Sequence, residues 1–134
     1  MSSILTPDSQ VCVRRTVCEN LGKPWVYLGR GPDNFDCWGF VVYVMGKVGI
    51  KAPSDVETFN DGIESVILQG WVEIPSPDPF TIVTFGKGGV SSHVGVLVDG
   101  NLCYHCSENI GVAAHPLKVL THKFSEARYW SPNA

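Results

Sequence analysis

The sequence predicts an α+β domain, with helices in the first half packed to one side of an antiparallel β-sheet formed by the second. Three observations carry this. Up to about residue 70 the apolar residues recur at helical spacing. Beyond it they fall in short β-branched and aromatic runs separated by Gly, Pro, Asp and Asn. Finally, 134 residues, 44% apolar and 17% charged, are enough to bury one core without staples. No repeat, low-complexity tract or linker divides the chain, so residues 1–134 are expected to form a single domain.

Thr6 followed by Pro7 supplies a capping residue and a first-turn proline. Val11, Cys12, Arg15, Cys18 and Leu21 continue at a rough helical spacing, and Gly22 with Pro24 ends the helix. After the loop "LGRGPDN", Phe40, Val41, Val44, Met45 and Val48 mark one face of a second helix. Its β-branched content lowers local propensity, so burial must hold it. Ser54 and Glu57 make a capping-box pattern for a third helix, with Val56, Phe59, Ile63, Val66 and Ile67 inward and Gly70 closing it. "WVEI", "FTIVTF", "HVGVLV", "LCYHC" and "RYW" then read as strands.

Composition excludes several classes. The net charge of −3 and a pI near 5.7 recommend no nucleic-acid partner. No apolar run approaches the roughly 20 residues that a membrane span needs. The start "MSSILTPDSQ" lacks the basic and apolar regions of a signal peptide, so synthesis as a soluble protein without its own export address is expected. Five cysteines, an odd number, argue for reduced thiols over a disulfide framework. "CYHC" gathers Cys103, His105 and Cys106, but a strand would point Cys106 away from the other two. Small apolar strand cysteines are therefore expected there, with no metal. Cys12 and Cys18 read as packing residues, Trp71 and Trp130 as core, and His115 and His122 as surface residues in a segment of helical or turn character. "GKGG" is too short for a phosphate loop and suits a glycine lip beside His93.

"NFDCWGFVVYVMGKVGI" places Cys37 at the mouth of an apolar run. Asp36 can cap the helix starting there, which puts Cys37 in the first turn. The positive end of the helix dipole favours a thiolate, so a depressed pKa is expected. A thiolate nucleophile needs a base. The "LVDGN" turn provides a candidate, since a three-residue loop Val98–Gly100 pairs Leu97 with Asn101 and sets His93 opposite His105. A two-residue Asp-Gly turn would instead pair His93 with Cys106 and send His105 to the other face. The glycine position allows both. Chemistry favours the first, because a general base needs a second polar group to fix its tautomer.

"GKPWVYLGRGPDNFDCWGFV", then "SSHVGVLVDG", then "YH" resembles the NlpC-type cell-wall peptidase family of papain-like cysteine peptidases. The similarity spans roughly residues 20–110. It implies a papain-like α+β fold with the nucleophile at a helix N-terminus. It implies Cys37 as nucleophile, His93 as general base and His105 as the orienting third member, with no cofactor. The implied reaction is hydrolysis of an amide in peptidoglycan stem peptides, favouring the bond after a γ-linked D-glutamate. Ser92 matches the serine that shapes the substrate site, and Asp36 matches the aspartate that helps bind the substrate's free amino end.

Trp25, Trp38 and the stretch "PSPDPF", which stands in place of a Pro-Gly-Asp turn, depart from the family pattern and bear on substrate identity. Trp25, Tyr27 and Trp38 are expected at the substrate. Trp25 stands where the family has tyrosine, Tyr27 lies two residues on, and Trp38 replaces a small serine. The tail "CSENIGVAAHPLKVLTHKFSEARYW" resembles the branch found in bacteriophage tail proteins, which implies phage tail proteins as further partners. Three classes of function follow: a cysteine hydrolase of cell-wall peptides, an acyltransferase or other amidase on the same fold, and a non-catalytic tail module.

Overall fold

A computed structural model describes residues 5–52, 70–99 and 101–132. In chain order the elements are α1 (Pro7–Glu19), α2 (Cys37–Gly46), β1 (Trp71–Ile74), β2 (Thr81–Lys87), β3 (Val90–Leu97), β4 (Leu102–Ser107), β5 (Gly111–Pro116), α3 (Leu117–Phe124) and β6 (Glu126–Pro132). The helix predicted from Ser54 to Gly70 falls mainly on residues 53–69, outside the described residues.

Both described N-terminal helices start where the capping argument puts them. The Thr6 hydroxyl accepts from the Ser9 amide at 3.1 Å, with Pro7 opening the helix. Asp36 accepts from the Gly39 amide at 2.6 Å and opens α2. Phe40, Val41, Val44 and Met45 of α2 are fully buried. At about 1.5–3 kcal/mol per buried side chain, their burial holds a helix that its valines would not.

The six strands form one antiparallel sheet in the order β1-β6-β2-β3-β4-β5. One face carries Ile82, Val94, Val96 and Cys106 against Val13 and Val17 of α1 and the buried face of α2. The other carries Val83, Phe85, Leu97 and Cys103 under Leu117 and Leu120 of α3. The first-half helices α1 and α2 share one face, as expected, while α3, a helix the sequence did not reveal, covers the other. Leu117, Leu120 and Phe124 at i, i+3, i+7 give α3 the apolar stripe it needs. With both faces covered, the first six residues of β2 are all buried, so its sequence does not alternate.

β5 departs from expectation. "GVAAHP", expected as helix or turn, is an edge strand antiparallel to β4. Its pairing places His115 opposite Cys103, on the same face of the sheet as His105.

Candidate active site

The loop before α2 and the helix start are fitted to each other. A side chain at Gly39 would meet the Gly29 carbonyl oxygen of that loop, so glycine in the first turn lets the loop pack on the helix. The Gly29 carbonyl in turn accepts from the Asp36 amide at 3.1 Å. The Asp36 carboxylate caps Gly39 and pairs with the Arg30 guanidinium at 2.8 Å. That carboxylate, expected at the substrate, is buried and engaged, and it positions the helix start. Trp38, also expected at the substrate, is fully buried in the core. Tyr27 is half exposed and outside the cavity wall.

Cys37, Ser92, His93, His105 and Trp25 do meet, around a cavity of about 170 Å³. Cys37 is 2% exposed. The backbone amides of Trp38 and of Val94, the residue after His93, act to lower its pKa. Even so, the Cys37 thiol is pushed up to about 12, first by burial and then by the Asp36 charge. The depressed pKa expected from the helix dipole is thereby reversed. Desolvation of a buried thiolate, with a carboxylate next in sequence, outweighs a half-charge at the helix end.

The two histidines share a face, but not the predicted register. Leu97 pairs with Cys103 and Gly95 with His105, a shift of two residues, because the Val98 amide still bonds to the Leu102 carbonyl and the loop begins one residue later. A shift of two preserves the face. His93 and His105 are therefore diagonal neighbours, with His93 Nε2 2.8 Å from His105 Nδ1 and ring centroids 5.0 Å apart. Gly95, opposite His105, leaves room for the ring to lean: an added Cβ would lie 3.1 Å from His105 Cβ and 2.5 Å from Cys103 Sγ.

Burial, followed by the neighbouring His105 and Lys123, lowers His93 to about 3. Burial, followed by His115 and Lys123, lowers His105 to about 4. At neutral pH the cavity thus holds a thiol and neutral imidazoles. With Nε2 engaged by His105, Nδ1 is the His93 nitrogen left to take a proton.

Several wall residues escaped the sequence. Phe124 of α3 stacks on the His93 ring at 5.6 Å and 14°, and Lys123 stands beside it. Cys106, Ser107 and Glu108 at the end of β4 complete the wall. The Ser107 hydroxyl is buried and has no hydrogen-bond partner among the described residues, so it can bond to a ligand. His115 bonds to His105, Nδ1 to Nε2, at 2.8 Å. Assigning "GVAAHP" as a strand bounded by glycine and proline would have found it. Away from the cavity, Cys18 is exposed, with its sulfur 3.8 Å from the Tyr104 hydroxyl, and is not the packing residue expected. Trp71 and Trp130 are core as predicted.

A helix-borne cysteine and a strand-borne histidine pair around one cavity, on this sheet, define a papain-like α+β domain. Residues 22–132 match the NlpC/P60 family, and the chain belongs to it. Among relatives it is 32% identical over 91 residues to a probable endopeptidase p60 of Listeria innocua and 29% identical over 91 residues to that of Listeria grayi. Each alignment covers 68% of this chain but only 18% and 17% of the relative, so the chain spans under a fifth of their length. Among solved structures it is similar to the NlpC/p60 domain of the peptidoglycan hydrolase SagA, with TM-score 0.65, 18% identity and 91% and 97% of the two chains covered. An NLP/P60 protein similar to lipoprotein from Staphylococcus aureus gives TM-score 0.69 and 20% identity, covering 95% of this chain and 43% of that one. These two likenesses establish the fold.

Proposed function

We propose that this chain is a cysteine hydrolase acting at the cell wall, cleaving an amide bond in peptidoglycan stem peptides. One observation carries the reading: Cys37 at the start of a buried helix and His93 hydrogen-bonded to His105 open into one cavity. Kinship with proteins named probable endopeptidases and peptidoglycan hydrolases supplies the substrate class.

Cys37 Sγ attacks the amide carbon as its proton passes to His93 Nδ1. Because thiol and imidazole are both neutral at rest, transfer accompanies attack instead of preceding it. The positive end of the α2 dipole faces the oxyanion that forms. Imidazolium His93, steadied through Nε2 by His105, returns its proton to the leaving amine and a thioester remains. His93 then takes a proton from water as the hydroxyl adds to the thioester carbon. Collapse expels the thiolate and releases a carboxylic acid, and the His93 proton passes back to Cys37 Sγ to restore the thiol. Ser92, Trp25 and Ser107 hold the substrate.

Two finer readings belong to the same proposal. The order of the Asp-Cys and Ser-His motifs supports cleavage after a γ-linked D-glutamate. The resemblance of residues 106–130 to tail proteins supports a place in a bacteriophage tail. One observation favours the alternative of a non-catalytic module, namely the burial that holds the resting Cys37 thiol neutral. Digesting purified peptidoglycan and weighing the released fragments separates the two. The hydrolase releases fragments that a Cys37→Ala protein does not, and their masses identify the bond. Equal, background release by both proteins would reject it.

A further inference from the structure

The mechanism uses two histidines, but the hydrogen-bonded chain has three. His93 Nε2 meets His105 Nδ1 at 2.8 Å, and His105 Nε2 meets His115 Nδ1 at 2.8 Å, each pair of rings 5.0 Å apart. Both bonds run in the same sense, Nε2 to the next Nδ1. The chain leads from the cavity, through buried His105, to half-buried His115 on the edge strand.

A neutral imidazole has one N–H and one bare nitrogen. Two such bonds in series therefore admit only two consistent arrangements. Either all three rings carry hydrogen on Nε2 and donate outward, or all three carry it on Nδ1 and donate inward. Only the outward arrangement leaves His93 Nδ1 bare, and only a bare Nδ1 can take the Cys37 proton. His105 alone does not choose, because its ring serves either way. The choice falls to the outermost ring.

We propose, resting on the hydrolase reading, that His115 is a positioning residue that sets the direction of this chain and so the tautomer of His93. As an acceptor at Nδ1 it holds the outward arrangement. When His115 takes up a proton, both its nitrogens become donors and it can no longer accept from His105. His105 must then carry hydrogen on Nδ1 and donate it to His93 Nε2, which moves the His93 hydrogen to Nδ1. The base is blocked while His93 itself stays neutral.

The groups facing this chain are few. On β4, His105 bonds to His115, and Cys103 stands opposite it in the register. α3, packed against β5, carries Lys118, His122 and Lys123, and the Lys123 charge acts on both His93 and His105. Glu108 lines the cavity beyond the end of β4. At the start of β5, Lys23 pairs through its backbone with Val112 and directs its ammonium to the Pro32 carbonyl at 2.7 Å.

The test is ¹⁵N NMR of the His93 ring in the full chain, for wild type, His115→Asn and His115→Ala. Asparagine keeps an acceptor oxygen near the place of Nδ1 but takes no proton. The wild type should show a bare His93 Nδ1 at neutral pH that gains hydrogen, at the expense of Nε2, as the pH falls. His115→Asn should keep the bare Nδ1 to lower pH, and His115→Ala should show a tautomer mixture. On a stem peptide, His115→Ala should lose about tenfold or more in kcat with KM unchanged, as loss of an outer orienting partner does. His115→Asn should recover most of that loss and retain activity at more acidic pH. One His93 tautomer in all three proteins at every pH would overturn the proposal. A folded wild type without turnover defeats the hydrolase reading alone, and the ring spectra then decide the role of His115 by themselves.

Discussion

His105 stands opposite Gly95, yet its Nδ1 reaches His93 Nε2 at 2.8 Å across the diagonal. The missing side chain of Gly95 makes that reach possible. Gly95→Ala introduces a Cβ 2.5 Å from Cys103 Sγ and 2.9 Å from the Tyr104 carbonyl oxygen. Overpacking of this kind costs about 1–3 kcal/mol. Thermal unfolding should show Gly95→Ala destabilised, and adding Cys103→Ala should recover part of the loss by removing the closest atom. An unchanged Tm for Gly95→Ala would contradict the packing.

Thiol reactivity follows from burial. With Cys37 pushed up to about 12 and buried, iodoacetamide at pH 7 should label exposed Cys18 well before Cys37. Raising the pH should speed labelling of Cys37 steeply. Peptide mapping by mass checks the order, and faster labelling of Cys37 than Cys18 at pH 7 would show a thiolate already present.

Much of the site was legible because local chemistry agrees with the fold. An aspartate before "CWGF" caps a helix whatever surrounds it, and the parity of His93 and His105 survives a two-residue slip. The register was not legible, because "LVDGN" accommodates a three-residue loop in more than one place. Nor was α3 on the second face. Leu117, Leu120 and Phe124 make a stripe only once "GVAAHP" is recognised as a strand, and two alanines and a glycine give that strand little β-propensity. The Cys37 charge state failed for a different reason. Desolvation is a property of the assembled core, and it reverses what the helix end alone predicts.

Stability should depend on the same burial. His93 at about 3 and His105 at about 4 lie below the ordinary 6.5, so between those values the unfolded chain binds protons that the folded chain refuses. Their contribution is present in full above pH 6.5 and is lost as pH falls towards 3. Over both groups this amounts to several kcal/mol in order of magnitude. Urea unfolding at pH 7 and pH 4 should show the wild type losing more stability than a His93→Asn, His105→Asn double variant. Equal losses would contradict it.

Substrate contacts should separate from chemistry. Ser92→Ala, Trp25→Ala and Ser107→Ala each remove a group from the cavity wall while leaving Cys37 and the imidazole chain in place. Steady-state kinetics on one stem peptide should show KM raised and kcat changed less. A kcat loss as large as that of a His93 variant, with KM unchanged, would move that residue into the chemical step.

The most direct measurement is kcat of His93→Ala on that stem peptide, after confirming that the variant is folded. In the proposed mechanism His93 accepts the Cys37 proton and returns it to the leaving amine, and general acid–base help of this kind is worth typically 10²–10⁴-fold. The predicted loss is at least of that order with KM little changed, while His105→Asn, which keeps a polar partner for the ring, loses less. A folded His93→Ala protein with near-normal turnover would contradict the mechanism.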